Sequence, residues 1–93
     1  MINGFKDRTT EAVFRGENPK GFPPDIVKVA RRKLGYLDAA LDLHDLRAPP
    51  GNRLEALVGD RRGQHSIRVN DQFRVCFRWT PQGPTDVEIT DYH

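Results

Sequence analysis

From Ser66 to Trp79 the apolar positions fall on every second residue. Ile67, Val69, Phe73, Val75, Phe77 and Trp79 share one parity, and Arg68, Arg74 and Arg78 share the other. Side chains alternate faces along a strand, so this pattern predicts a β-hairpin with an apolar face toward a core and a guanidinium-rich face turned away. Equal parity at Val69 and Phe73 requires a loop of odd length, Asn70-Asp71-Gln72, or a bulge. A two-residue turn would put Arg68 and Phe73 on one face and break the pattern. The odd register sets Arg68 opposite Arg74, a like-charge pair that is unfavourable without an anion.

Strands are predicted over about residues 64–69, 73–80 and 85–90, with Pro81-Gln82-Gly83-Pro84 as the second turn and Val87 and Ile89 extending the core face. A weaker alternation over 53–58 suggests one more strand. It sets Leu54, Ala56 and Val58 against Glu55 and Leu57, and does not decide which side faces inward.

The first half reads differently. Residues 7–15 predict a short helix, capped by Asp7, apolar at Ala12, Val13 and Phe14 and stopped by Gly16. Residues 24–43 predict the main helix. Pro24 suits its first turn, and Ile26, Ala30, Leu34, Leu37 and Leu41 recur at helical spacing. Lys28, Arg31, Arg32 and Lys33 lie largely off that stripe, as a solvated face or as a contact for ribosomal RNA or an acidic partner. Residues 1–5 are short enough for an edge strand, and the prolines and glycine of 46–52 turn the chain. Two helices followed by an antiparallel meander, with the helices covering the apolar face, make an α+β fold.

Ninety-three residues make one domain. No apolar run reaches membrane-spanning length. Lys6, Asp7, Arg8 and Glu11 near the start are not the residues of a secretion signal. The single cysteine, Cys76, has no internal partner, so the expected compartment is a reducing cytoplasm. A net charge of +2 says little about nucleic acid, but its distribution says more. Six arginines and no lysine lie between Arg53 and Arg78, against Glu55, Asp60 and Asp71. Arginine offers the planar fork that matches phosphate.

A phosphate-binding sheet face with a histidine at position 93 suggests RNA chemistry. An imidazole titrates near neutral pH and suits general acid–base transfer. His93 is the candidate acid or base, and Asp91 could orient it. Tyr92 can stack on a nucleobase or bond the reacting ribose. Arg74, with Arg68 and Arg61, would hold the scissile phosphate. The plainer alternatives are an inert terminal histidine, a core tyrosine and an Arg61 that pairs with Asp60. His65 precedes a strand and faces either solvent or substrate. Cys76 shares the arginine parity but is expected to be a packed thiol. No Cys/His or carboxylate cluster has metal-site spacing, so neither metal nor cofactor is expected.

Several segments together resemble one family. They are Arg32-Lys33-Leu34, Leu37-Asp38-Ala39-Ala40, the run from Leu46 to Glu55 (Leu-Arg-Ala-Pro-Pro-Gly-Asn-Arg-Leu-Glu), Gly59-Asp60-Arg61, the run from Gly63 to Arg74, and Asp91-Tyr92-His93. Collinear over essentially the whole chain, they resemble the HigB branch of the RelE superfamily of bacterial toxins. The resemblance implies a microbial ribonuclease-like α+β fold and an mRNA interferase that cuts messenger RNA in the A site of the 70S ribosome, often at adenine-containing codons. It implies a helix-turn-helix antitoxin of the HigA type, with operator DNA bound only through the toxin–antitoxin complex. Arg74, Asp91, Tyr92 and His93 fall on the family's catalytic positions, and His65 and Gln72, within its strand motif, are expected among the substrate-binding residues with Arg61 and Arg68. A well-known subgroup carries histidine where this chain has Glu55 and lysine where it has Val58. Glu55 is then either a base in place of that histidine or a structural residue. A non-catalytic ribosome- or antitoxin-binding module and a ribosome-independent nuclease are the competing readings.

Overall fold

The computed structural model describes residues 1–91. In chain order it holds helix α1 (Arg8–Phe14), helix α2 (Val27–Ala39) and strands β1 (Glu55–Ala56), β2 (His65–Arg68), β3 (Phe73–Thr80) and β4 (Gly83–Asp91). The strands form one antiparallel sheet in the order β1-β2-β3-β4. This is the expected α+β arrangement.

Asp7 starts α1 as anticipated. Its side chain accepts from the Thr10 amide at 3.2 Å, and the Thr10 hydroxyl accepts from the Ile89 amide on the outer edge of β4. The first residues lie along the same edge. Phe5 bridges Val87 in parallel, and the Asn3 amide reaches the Pro84 carbonyl. The expected edge strand is thus a bridge rather than a full ladder.

The main helix is shorter than its apolar stripe. Pro24–Ile26 is a 3₁₀ turn, and α2 ends at Ala39 rather than near residue 43. Asp42 and Asp45 form a reciprocal capping box that starts the 3₁₀ turn Leu43–Arg47. These short acids outcompete continuation of the helix. Leu41, expected inside, is 92% exposed, and Leu46, at 1%, takes the core position instead. The expected strand over 53–58 likewise shrinks to Glu55–Ala56. Arg53 is left-handed (φ 46°) at the end of the 3₁₀ turn Pro50–Asn52, and Val58 leads into another, Gly59–Arg61. Leu57 points inward and Val58 outward.

The hairpin register is the expected one. Ile67 faces Val75, and Arg68 faces Arg74. Between β3 and β4 the register slips by one residue at Cys76/Arg78. Asp86 takes a left-handed conformation there (φ 52°), so two β4 residues oppose Phe77. This bulge keeps both Pro84 and Val87 on the core side despite their unlike parity. β4 also starts two residues earlier than expected, because the turn closes on Pro81 and Gln82 alone. Gly83 (φ 116°) packs against the Met1 backbone, where a Cβ would collide.

The core lies between the helices and the sheet. Val13, Ala30, Leu34 and Leu37 meet Ile67, Val75, Phe77 and Val87. The opposite sheet face carries the arginines. No helix among the described residues is long and apolar enough to cross a membrane.

Candidate functional site

The strand register lays out the outer face in rows. Glu55, Ser66, Cys76 and Glu88 oppose one another across the four strands, and the next row holds Arg68, Arg74 and Thr90. Arg78 opposes Thr85 beyond the bulge.

Arg74 sits in the middle. Its Nε donates to Ser66 Oγ at 2.7 Å, and one Nη donates to the Arg53 carbonyl at 2.7 Å. It has no carboxylate partner among the described residues. The other cations of this face do. Arg61 reaches Glu88 at 2.8 Å and Gln64 at 3.1 Å, rather than Asp60, and Lys6 lies 3.7 Å from Glu88. Arg78 is 3.5 Å from Asp86. Arg68 pairs with Asp71, whose side chain is fully exposed. A pair so exposed is weak, so Arg68 is easily released to a phosphate. The Arg61–Glu88 pair is more buried and holds its guanidinium in place.

Glu55 is exposed on this same face, across from Ser66. Asp91 opposes Phe73 at the end of β4, hence on the other face by alternation, and accepts from Gln72 Nε2 at 3.0 Å. Gln72 belongs to the β2–β3 turn, which is stabilised by Asn70 Oδ1 accepting from the amides of Gln72 and Phe73. His65 shares the parity of Ile67 and faces the core, where its ring stacks on Phe77 with centroids 6.2 Å apart. It therefore stands apart from the arginine face. Tyr92 and His93 lie outside the described residues.

Ser66 is absent from the sequence-based candidates, yet it holds Arg74. Its even parity was the available signal. Glu88 and Lys6 were also missed, because they meet Arg61 only through the tertiary fold. Concavities lined by Met1, Leu41, Trp79 and Pro81, and by Arg8, Glu11 and Arg15, contain no residue of the arginine face.

Cys76 sits at its centre but is wholly buried. Burial pushes its thiol up from the ordinary cysteine range, and Glu88 adds to this, while Arg61, Arg74 and Lys6 pull the other way. A thiol held protonated is a poor nucleophile. Native protein at pH 8 should therefore leave Cys76 unmodified by a disulfide-exchange reagent, and denaturant should release one thiol per chain. Rapid modification of the folded protein would make Cys76 an accessible group of the site.

Comparison with known proteins identifies the family. A family model described as a RelE-like toxin of the type II toxin–antitoxin system HigB matches residues 3–93. The chain is 45% identical over 80 residues to toxin HigB-1 of Vibrio cholerae serotype O1, covering 85% of this chain and 84% of that one. It is 38% identical over 64 residues to an uncharacterized protein of Haemophilus influenzae, covering 69% of this chain and 63% of that one. It is 28% identical over 93 residues to the endoribonuclease HigB of Proteus vulgaris, across the full length of both. The chain belongs to the family of HigB-like toxins, the RelE-like toxins of type II toxin–antitoxin systems.

Proposed function

We propose that this toxin is a metal-independent endoribonuclease that cuts messenger RNA on the ribosome and so inhibits translation. The observation that carries the reading is Arg74. It is a guanidinium anchored at two nitrogens, without a carboxylate partner among the described residues, at the centre of an arginine-rich sheet face. Among the described residues its cross-strand neighbour Arg68 is held only by an exposed aspartate. Two cations in this relation favour a phosphate between them.

Cleavage begins when a base takes the proton from the ribose 2′-OH. The oxygen then attacks the adjacent phosphorus, and an acid protonates the departing 5′-oxygen. The products are a 2′,3′-cyclic phosphate, or the 3′-phosphate from its hydrolysis, and a 5′-hydroxyl. Arg74, with Arg68 and Arg61, stabilises the charge that builds on the phosphorane-like transition state. His93 serves as acid or base, a role worth roughly 10²–10⁴-fold. Glu55, on the row beside Arg74, supplies the complementary acid or base. Tyr92 stacks on a base or bonds the ribose, and Asp91 and Gln72 brace that end of the site. His65 has a packing role in this reading.

The net charge of +2 offers few phosphate contacts for tight binding to free RNA. The ribosomal A site supplies that positioning instead. As a toxin of a type II system the chain is paired with an antitoxin. We place it in the cytoplasm, with a HigA-type helix-turn-helix protein as partner and operator DNA bound only through that partner.

The test is a reconstituted translation reaction with purified toxin, mapping of mRNA 5′ ends, and parallel reactions with His93→Ala and without ribosomes. Cuts inside codons that require both the ribosome and His93 are expected. Cleavage of naked RNA at the same rate would make it a ribosome-independent nuclease. Intact mRNA with folded, ribosome-bound protein would make it a non-catalytic binding module.

A further inference from the structure

Lys33 is an unusual occupant of the interior. It is only 6% exposed. Its ammonium donates to Asn52 Oδ1 at 2.7 Å and lies 5.6 Å from the centre of the Tyr36 ring, with no carboxylate partner among the described residues. Burial, then Arg32 and Arg68, hold its pKa below the ordinary lysine range. A buried cation without a counter-ion is costly. Its hydrogen bond falls on a residue that is itself fully buried. Asn52 donates to the carbonyls of Leu46 and Ala48, both at 3.2 Å, and so ties down the 3₁₀ turn Pro50–Asn52. The next residue, Arg53, is left-handed, and its carbonyl takes an Nη of Arg74. Ser66, also fully buried, takes Nε.

We propose that Lys33, Asn52 and Ser66 are positioning residues that aim the Arg74 guanidinium. Ser66 holds Nε directly. The Lys33–Asn52 pair, anchored on the helix layer, fixes the Arg53 carbonyl that holds the Nη. The inference rests on the reading of Arg74 as the phosphate-stabilising group. A guanidinium fixed at two nitrogens presents its remaining donors in one orientation, and misplacement by about 1 Å at a reacting centre costs up to roughly 10²-fold in rate.

The test uses Lys33→Met, which keeps the apolar stem and removes the donor, and Ser66→Ala, which removes one oxygen. Each is made alone and on an Arg74→Ala background, and thermal melting confirms folding. At saturating ribosome each single change should slow mRNA cleavage by roughly tenfold to 10²-fold. The ribosome concentration giving half-maximal rate should stay the same, and neither change should add to the loss from Arg74→Ala. Full activity in both variants, or equal losses with and without Arg74, overturns the proposal. If Lys33→Met fails to fold, Ser66→Ala carries the kinetic test.

A second readout is independent of activity. The Arg74 Nε–H signal in ¹⁵N NMR should be protected and its guanidinium slow to rotate in the wild type, and both properties should be lost in either variant. An Arg74 signal unchanged by these substitutions overturns the positioning role. Unimpaired cleavage by Arg74→Ala would instead overturn the catalytic reading on which it rests.

Discussion

Arg74→Ala is expected to lower the rate of ribosome-dependent mRNA cleavage by about 10²–10³-fold, the usual cost of losing one preorganised donor to a developing negative charge. The guanidinium is placed before substrate arrives, by Ser66 on one nitrogen and the Arg53 carbonyl on another. Its stabilisation therefore requires no reorganisation at the moment of reaction. Arg74→Lys should recover little of the rate. An ammonium is a point charge on a flexible stem, and it cannot bridge Ser66 and Arg53 while also facing a phosphate. The substitution should cost some stability as well. It leaves the buried Ser66 hydroxyl without its partner, a loss of roughly 1–3 kcal/mol. The measurement is single-turnover cleavage on programmed ribosomes at saturating toxin, with melting curves alongside. Cleavage within threefold of wild type by a folded Arg74→Ala protein would remove this residue from the chemistry.

That central position was legible in the sequence because strand alternation is local. The parity of Ile67, Val69, Phe73 and Val75 determined the odd hairpin loop, and that loop set Arg68 opposite Arg74. Parity also placed Cys76 on the arginine face, and its small apolar thiol accounts for its burial there. His65, expected to face solvent or substrate, faces the core instead. It shares the parity of Ile67, and the alternation that set the rest of the strand extends to it, since β2 begins at residue 65.

Other features depended on competition or distance. The end of α2 was decided by side chains bonding to backbone, since Asp42 and Asp45 cap a new turn although the apolar stripe continues to Leu41. β1 was cut short by the left-handed Arg53. The bulge at Asp86 shifts the apolar parity of β4 from odd to even between Val87 and Pro84, a change that a strict period of two cannot register. The bond from Lys33 to Asn52 and that from Arg61 to Glu88 join residues 19 and 27 positions apart, beyond the reach of any periodicity. The same holds for the pairing of charges on the open face. The six arginines from Arg53 to Arg78 suggested a guanidinium-rich face. The fold instead matches Arg61, Arg68 and Arg78 with carboxylates and leaves Arg74 without one among the described residues.

Phe77→Ala should be the most damaging single change to the fold, at about 3–5 kcal/mol. Phe77 heads the fully buried side chains by volume and stacks against His65 at the bulge, where β3 and β4 change register. Its removal opens a cavity in the core between sheet and helices. In a domain of this size each kcal/mol moves the melting temperature by roughly 4–8 °C, so a fall of roughly 12–40 °C is expected. Leu41→Ala provides the contrast. Had α2 continued to residue 43, Leu41 would lie in the core and its truncation would cost about 2–5 kcal/mol. At 92% exposure it should cost no more than about 0.5 kcal/mol. Calorimetry of the two variants therefore examines the core and the helix end together. A Phe77→Ala protein that melts within a few degrees of wild type would mean that the sheet and helices do not pack as described. A partner that binds only the folded toxin should offset part of the Phe77→Ala loss by mass action. The variant should accordingly be recovered in complex with its antitoxin under conditions where the free chain unfolds.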